Sequence, residues 1–151
     1  MTSSSLIIAE KNPATRRQLA RGLAASADPV TTTGSAAQLL EHLLHNDCQV
    51  VVLGGHVEEN LSLTAQIRLV KRCNPHLAII LVADEVSLGQ ERTVRDAGIY
   101  YRTNHPESAD DWAELQTAVA CAHRRNVQTA DWQYDRQPDI NTHPIQEGSI
   151  S

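Results

Sequence analysis

The sequence predicts a doubly wound α/β fold, a five-stranded parallel sheet in the order 2-1-3-4-5 with helices on both faces. Two observations carry this expectation. Short apolar runs alternate five times with helical patterns between Leu6 and His123, and such alternation selects right-handed crossovers and a parallel sheet. The run Val50-Val51-Val52-Leu53 is apolar throughout, mostly β-branched, and stops at Gly54-Gly55. A strand without polar alternation is covered on both faces, as the centre of a parallel sheet requires. The composition agrees: 151 residues are enough for one buried core, 41% are hydrophobic, and Phe is absent, so the core must be built from Leu, Val, Ile and Ala.

Each element has its own local reason. Leu6 to Ala9 is the first strand, and Asn12-Pro13 supplies the cap and first residue of a helix to about Ala25. In that helix Leu19 and Leu23 form the apolar line while Arg16, Arg17 and Arg21 face water. Asp28-Pro29 breaks it, and the Thr-rich Val30 to Thr33 reads as an edge strand. Gly34-Ser35 caps a second helix in which Ala36, Leu39, Leu40, Leu43 and Leu44 recur at helical spacing. After the central strand, residues 54 to 60 are loop, and a helix from about Leu61 to Cys73 turns Leu63, Ile67 and Val70 inward. Arg68, Lys71 and Arg72 lie toward its C-terminus, where cations suit the macrodipole. Leu77 to Val82 is the fourth strand. Ser87 and Gln90 have capping-box spacing, and Gly98 terminates the helix they open. Ile99 to Arg102 is a short fifth strand, and Asp110 to His123 is the last helix.

Residues 1–125 are therefore expected to form one domain. Residues 126–151 are read as a flexible polar tail, with one docking spot at Trp132 and Tyr134, or as a linker to further sequence. Its acids, Asp131, Asp135, Asp139 and Glu147, face a single base, Arg136. The net charge of -5 argues against a dedicated nucleic-acid partner, because phosphate contacts need clustered Lys and Arg. Three well-separated cysteines, Cys48, Cys73 and Cys121, and no signal-like or membrane-spanning stretch lead us to expect a reduced, cytoplasmic protein with no membrane contact.

Several stretches together resemble the bacterial response-regulator receiver domain, the CheY-like branch of the flavodoxin-like folds. Leu6 to Pro13 resembles that family's first strand and acidic turn, and Gln49 to Gly54 the strand that ends in its phosphorylated aspartate. Asp96-Ala97-Gly98 resembles the end of its fourth helix, and His105-Pro106 stands where the family has Lys-Pro. The resemblance implies a regulatory module whose aspartate is phosphorylated with help from a Mg²⁺ held by two acids, a Lys and a hydroxyl. At the matching positions this chain has Gly54 for the nucleophile, Ala9 and Glu10 for the acidic pair, Val82 for the hydroxyl and His105 for the Lys. The sequence thus reads as a degenerate pseudo-receiver that cannot be phosphorylated at the usual place, with no catalytic residue, no metal and no cofactor. The family's aromatic switch residue falls on Arg102 without a gap, or on Tyr101 with one.

Function then shifts to the surface of the fourth helix, fifth strand and fifth helix, which the resemblance makes the face for dimers and outputs. Gln90, Arg92, Arg95, Tyr101, Arg102, Asp111 and Glu114 are the candidate contacts, since opposite charges on neighbouring helices pair across a two-fold axis. The expected partner is another protein or a second copy. Alternatives are a small-molecule sensor using the rim of Gly54, His56, Val82 and His105, the N-terminal regulatory domain of a larger regulator or pilus-type ATPase, and a small flavodoxin-like enzyme. Against the enzyme stands the acidic Glu10 to Asn12 turn, which lacks a Ser/Thr/Gly-rich phosphate loop. His42, His45 and Cys48 have spacing compatible with a metal, although exposed helix-end residues and a buried thiol account for them more simply. Glu10, Asp84, Glu85 and His105 should share one rim.

Overall fold

Apolar runs of three to five residues become the five strands of one sheet. In a computed structural model of the chain these are β1 (Leu6–Ala9), β2 (Val30–Thr33), β3 (Val50–Leu53), β4 (Ala78–Val82) and β5 (Tyr101–Thr103). Between and after them run α1 (Pro13–Leu23), α2 (Ala36–His45), α3 (Leu63–Cys73), α4 (Leu88–Ala97) and α5 (Ala109–Asn141). The structure describes residues 5–141 except 56, 58, 59 and 85, and only the backbone of 126–141.

The sheet is parallel throughout, in the order β2-β1-β3-β4-β5. β1, β3 and β4 are buried along their whole length, while β2 and β5 form the half-exposed edges. Alternation along the strands sorts the core into two layers. Ile7, Val51, Ile79 and Leu81 pack toward α2, α3 and α4, with Leu39, Ile67 and Val94 as partners. Leu6, Ile8, Val52 and Ile80 pack toward α1 and α5, with Leu19, Leu23, Leu115 and Val119 as partners.

The caps follow the local chemistry. The Asn12 side chain accepts from the N–H groups of Ala14 and Thr15, and Ser35 and Ser62 each accept one N–H at the start of α2 and α3. Ser87 and Gln90 complete the expected capping box, and Gly98, with φ 110°, ends α4 in the left-handed region that glycine enters without a Cβ penalty.

Beyond shifts of a residue or two at the end of α1 and the start of β4, four boundaries or faces differ from expectation. α3 begins at Leu63, since Ser62 takes the cap. β5 is Tyr101–Thr103, because pairing of Ile80 with Tyr101 sets the register and leaves Ile99 outside the ladder. Leu44 is 69% exposed, because Leu39 and Leu43 already cover the sheet from α2. α5 runs well past His123 to Asn141, through residues expected in the tail. No Gly or Pro stands between Pro106 and Pro138, so nothing in the sequence stops the helix earlier. Residues 142–151 lie outside the described residues, as do the side chains of Trp132 and Tyr134.

Candidate functional site

The register brings the expected positions together at the carboxyl edge of the sheet. Ala9 pairs with Leu53 and Leu53 with Leu81, so Glu10, Gly54 and Val82 follow one another as the first residues above that row. The Gly54 N–H donates to the Ala9 carbonyl at 2.8 Å, and the Glu10 N–H donates to the Thr33 carbonyl at 3.0 Å.

Glu10 turns inward and is only 6% exposed. Its Oε2 accepts from the Asn12 N–H at 2.9 Å, and its carbonyl accepts from Arg16 Nη1 at 3.0 Å. The carboxyl group lies over Gly54. A Cβ on residue 54 would meet Glu10 Cδ at 2.9 Å and Glu10 Cβ at 3.2 Å, with Oε1 closer still. The space a side chain at the third strand's tip would need is therefore filled by the neighbouring strand's carboxylate.

His105 closes the same rim. Its N–H donates to Asp84 Oδ1 at 2.9 Å and its Nδ1 lies 3.0 Å from Asp84 Oδ2, while its Nε2 is 3.8 Å from Glu10 Oε1. The His105 backbone N–H holds the Asp84 carboxyl below the usual aspartate range against the opposing effect of burial, with the His105 ring and Arg102 adding smaller pulls in the same direction. Val82 is fully buried and offers no hydroxyl, and Ala9 is fully buried in the core. Gly55 turns the chain away with φ 84°, a conformation that favours glycine. His56 and Glu85, two of the expected rim residues, lie outside the described residues.

On β5, Tyr101 and Arg102 point to opposite layers. Tyr101 packs on the α1 and α5 side and its hydroxyl donates to Glu114 Oε1 at 2.5 Å, which pushes the phenol upward. Arg102 lies on the α4 side. Its Nη2 donates to the Ala83 carbonyl at 3.2 Å, its Nη1 is 3.9 Å from Glu91 Oε1, and its Nε is buried with no partner among the described residues. Arg102 thus ties the β4 tip to α4.

Most of the expected contact residues on the outer face are already engaged within the chain. Gln90 belongs to the cap, Arg95 pairs with Glu91 at 3.5 Å, and Glu114 holds Tyr101. Asp111 accepts the Glu107 and Ser108 N–H groups, which hold its carboxyl below the usual range. Arg92 remains exposed with no ion pair among the described residues, beside Leu88, which is 82% exposed.

Two further groupings sit elsewhere. Cys48 is buried, its thiol pushed up chiefly by that burial, and no cluster among the described residues has the makeup to hold a metal ion. Between α1 and α5 a groove lined by Ala14, Arg17, Gln18, Arg21 and Gly22 is walled by Trp112. The Trp112 ring lies directly against Gly22, where a Cβ would collide with it, and Gln116 Nε2 donates to the Gly22 carbonyl at 2.9 Å. In the sequence this groove is marked only by a glycine inside α1, which at that place signals a close approach.

The sheet order, the helix on each side and the site at the carboxyl edge define the fold of response-regulator receiver domains. A CheY-like receiver domain protein from Methanospirillum hungatei superposes with a TM-score of 0.70 at 14% identity, over 82% of this chain and 98% of that one. The receiver domain of a putative LuxO repressor protein from Vibrio parahaemolyticus gives 0.74 at 12% identity, over 85% and 95%. A putative pilus assembly-related protein from Burkholderia pseudomallei gives 0.63 at 20% identity, over 78% and 90%. These likenesses establish the fold. No family model matches the sequence, and no curated protein matches it. Among the described residues no helix is long and apolar enough to cross a membrane.

Proposed function

We propose that this chain is a phosphorylation-independent pseudo-receiver, a protein-interaction module of bacterial signal transduction and not an enzyme. The carrying observation is the Glu10 carboxyl group seated over Gly54, in the space an acceptor side chain would occupy. A phosphoryl group needs a nucleophile, a neutralising cation and donors around the developing charge. Here the rim offers Glu10, Asp84 and His105, the first two of which repel an incoming phosphoryl donor.

In this reading residues 1–125 form the receiver-like body, followed by the segment 126–151, and a protein partner or second copy meets the α4–β5–α5 surface through Leu88, Arg92 and their neighbours. Three free thiols support a reducing, cytoplasmic setting. The likeness to a pilus assembly-related protein favours, as a second reading, a regulatory part of a larger assembly. Incubation with acetyl phosphate and Mg²⁺ tests the proposal. Intact-mass measurement should show no change, and a stable gain of one phosphoryl group would overturn it.

A further inference from the structure

The α1–α5 groove has a charge character that sets it apart from the acidic whole. α1 carries three arginines and no acid, in a chain of net charge -5. Arg16 is taken up by the Glu10 carbonyl. Arg17 and Arg21 are both exposed, one helical turn apart, and neither has an ion pair among the described residues. On α4, by contrast, Glu91 stands four residues before Arg95 and pairs with it at 3.5 Å. Like charges at that spacing repel on an isolated helix, so the Arg17 and Arg21 stripe is at a disadvantage until an anionic surface covers it.

The groove beside the stripe adds an apolar element. Its volume is about 550 Å³, and Ala14, Gly22 and Trp112 line it along with the two arginines. A Cβ at Gly22, the residue after Arg21, would collide with the Trp112 ring, so glycine is what lets the ring come this close to the stripe. Gln116 fastens the same contact by donating to the Gly22 carbonyl at 2.9 Å. Arginine and tryptophan together make the composition of an interface centre, where these two residue types carry much of the binding energy. The carboxylates in the first turn of α5 do not share this face. Asp111 accepts the Glu107 and Ser108 N–H groups, and Asp110 lies two residues from Trp112, a spacing that turns it to the other side of the helix.

The occupant follows from this chemistry. Two cations about 6 Å apart along one helix match two carboxylates one turn apart on another, because both helices rise by 1.5 Å per residue. Nucleic acid is disfavoured by the same count, since two arginines neutralise too few phosphates to hold it against the repulsion of a chain of net charge -5. We propose that the α1–α5 groove docks an acidic amphipathic helix of a partner protein, with Arg17 and Arg21 pairing with its carboxylates and Trp112 packing against its apolar side. This interface is separate from the α4–β5–α5 surface and independent of the pseudo-receiver reading.

A synthetic helix tests it on the full chain in a Trp132→Phe background, so that emission reports Trp112. The probe is an alanine-based peptide of about 18 residues, long enough to hold a helix alone, with two glutamates four residues apart and a leucine on the same face. Titration at low salt should change the Trp112 emission saturably. The glutamine version of the peptide should bind about tenfold more weakly, as the loss of two exposed ion pairs implies. Arg17→Glu combined with Arg21→Glu should lose the glutamate peptide and take up a lysine version in its place, and circular dichroism confirms that these surface substitutions leave the fold intact. Raising the salt should weaken both matched pairs, since exposed charges are screened over about 8 Å at physiological ionic strength. A glutamate peptide that leaves the emission unchanged, one bound no better than its glutamine version, or one held equally by the charge-reversed protein would each overturn the proposal. So would tighter binding of a single-stranded oligothymidylate, which would assign the stripe to nucleic acid, or a dimer of the peptide-free protein that the two reversals dissolve, which would assign it to a second copy.

Discussion

Glu10 occupies the side-chain space of residue 54. Its Cδ stands 2.9 Å from where a Cβ on Gly54 would be, so the two positions cannot both carry a carboxylate as the structure stands. Gly54→Asp is therefore expected to gain no phosphoryl group from acetyl phosphate and to destabilise the fold by about 1–3 kcal/mol, through overpacking and like-charge repulsion. Adding Glu10→Ala to it should recover part of that loss. Intact mass and urea unfolding of the two variants check both statements.

Asp84 supplies the pH dependence of the rim. Its carboxyl is held below the usual range by His105, so its contribution is present above the unfolded-state value, about 3.9, and is lost as pH falls through the lower folded-state value. The side chain is 52% exposed, which keeps the contribution under about 1 kcal/mol. Asp84→Asn should lower the urea midpoint at pH 6 and leave it little changed at pH 3, where the unaltered protein has lost most of the same support.

Gly22 tests the α1–α5 packing. In a free helix, Gly→Ala gains about 1 kcal/mol. Here the added methyl meets the Trp112 ring, and the expected result is a net loss of about 1–2 kcal/mol with an altered Trp112 emission, read in a Trp132→Phe background. Increased stability would show that the ring moves aside freely.

The sequence announced the sheet because each strand is a contiguous apolar run and each crossover has a cap or breaker, as at Asn12-Pro13, Ser87 and Gly98. That residue 54 is a glycine, with no side chain of its own, was equally visible. That Glu10 lies in the space beside it was not, since a sequence gives the order of side chains but not the volume each takes. Which face Tyr101 and Arg102 each take is not legible either, since only the pairing of Ile80 with Tyr101 sets it. The length of α5 is hard to see in the sequence because residues 126–151 are polar in composition, although no breaker stands between Pro106 and Pro138.

Arg102 joins the β4 tip to α4 through the Ala83 carbonyl and Glu91. Arg102→Ala should speed amide exchange over Leu88–Ala97 roughly fivefold, equivalent to about 1 kcal/mol of local stability, with β1 and β3 unaffected. Unchanged exchange in α4 would mean that Val94 and the cap hold the helix by themselves.

The margins of the sheet bear on how copies can meet. β2 is four residues long with Thr32 turned to water, and β5 has only three. Ribbons stacked margin to margin would gain only a handful of main-chain bonds at either side, too few to template the endless strand addition of a fibril. Crowded molecules of this protein are thereby steered to touch through their helical flanks, where contact can be selective and reversible.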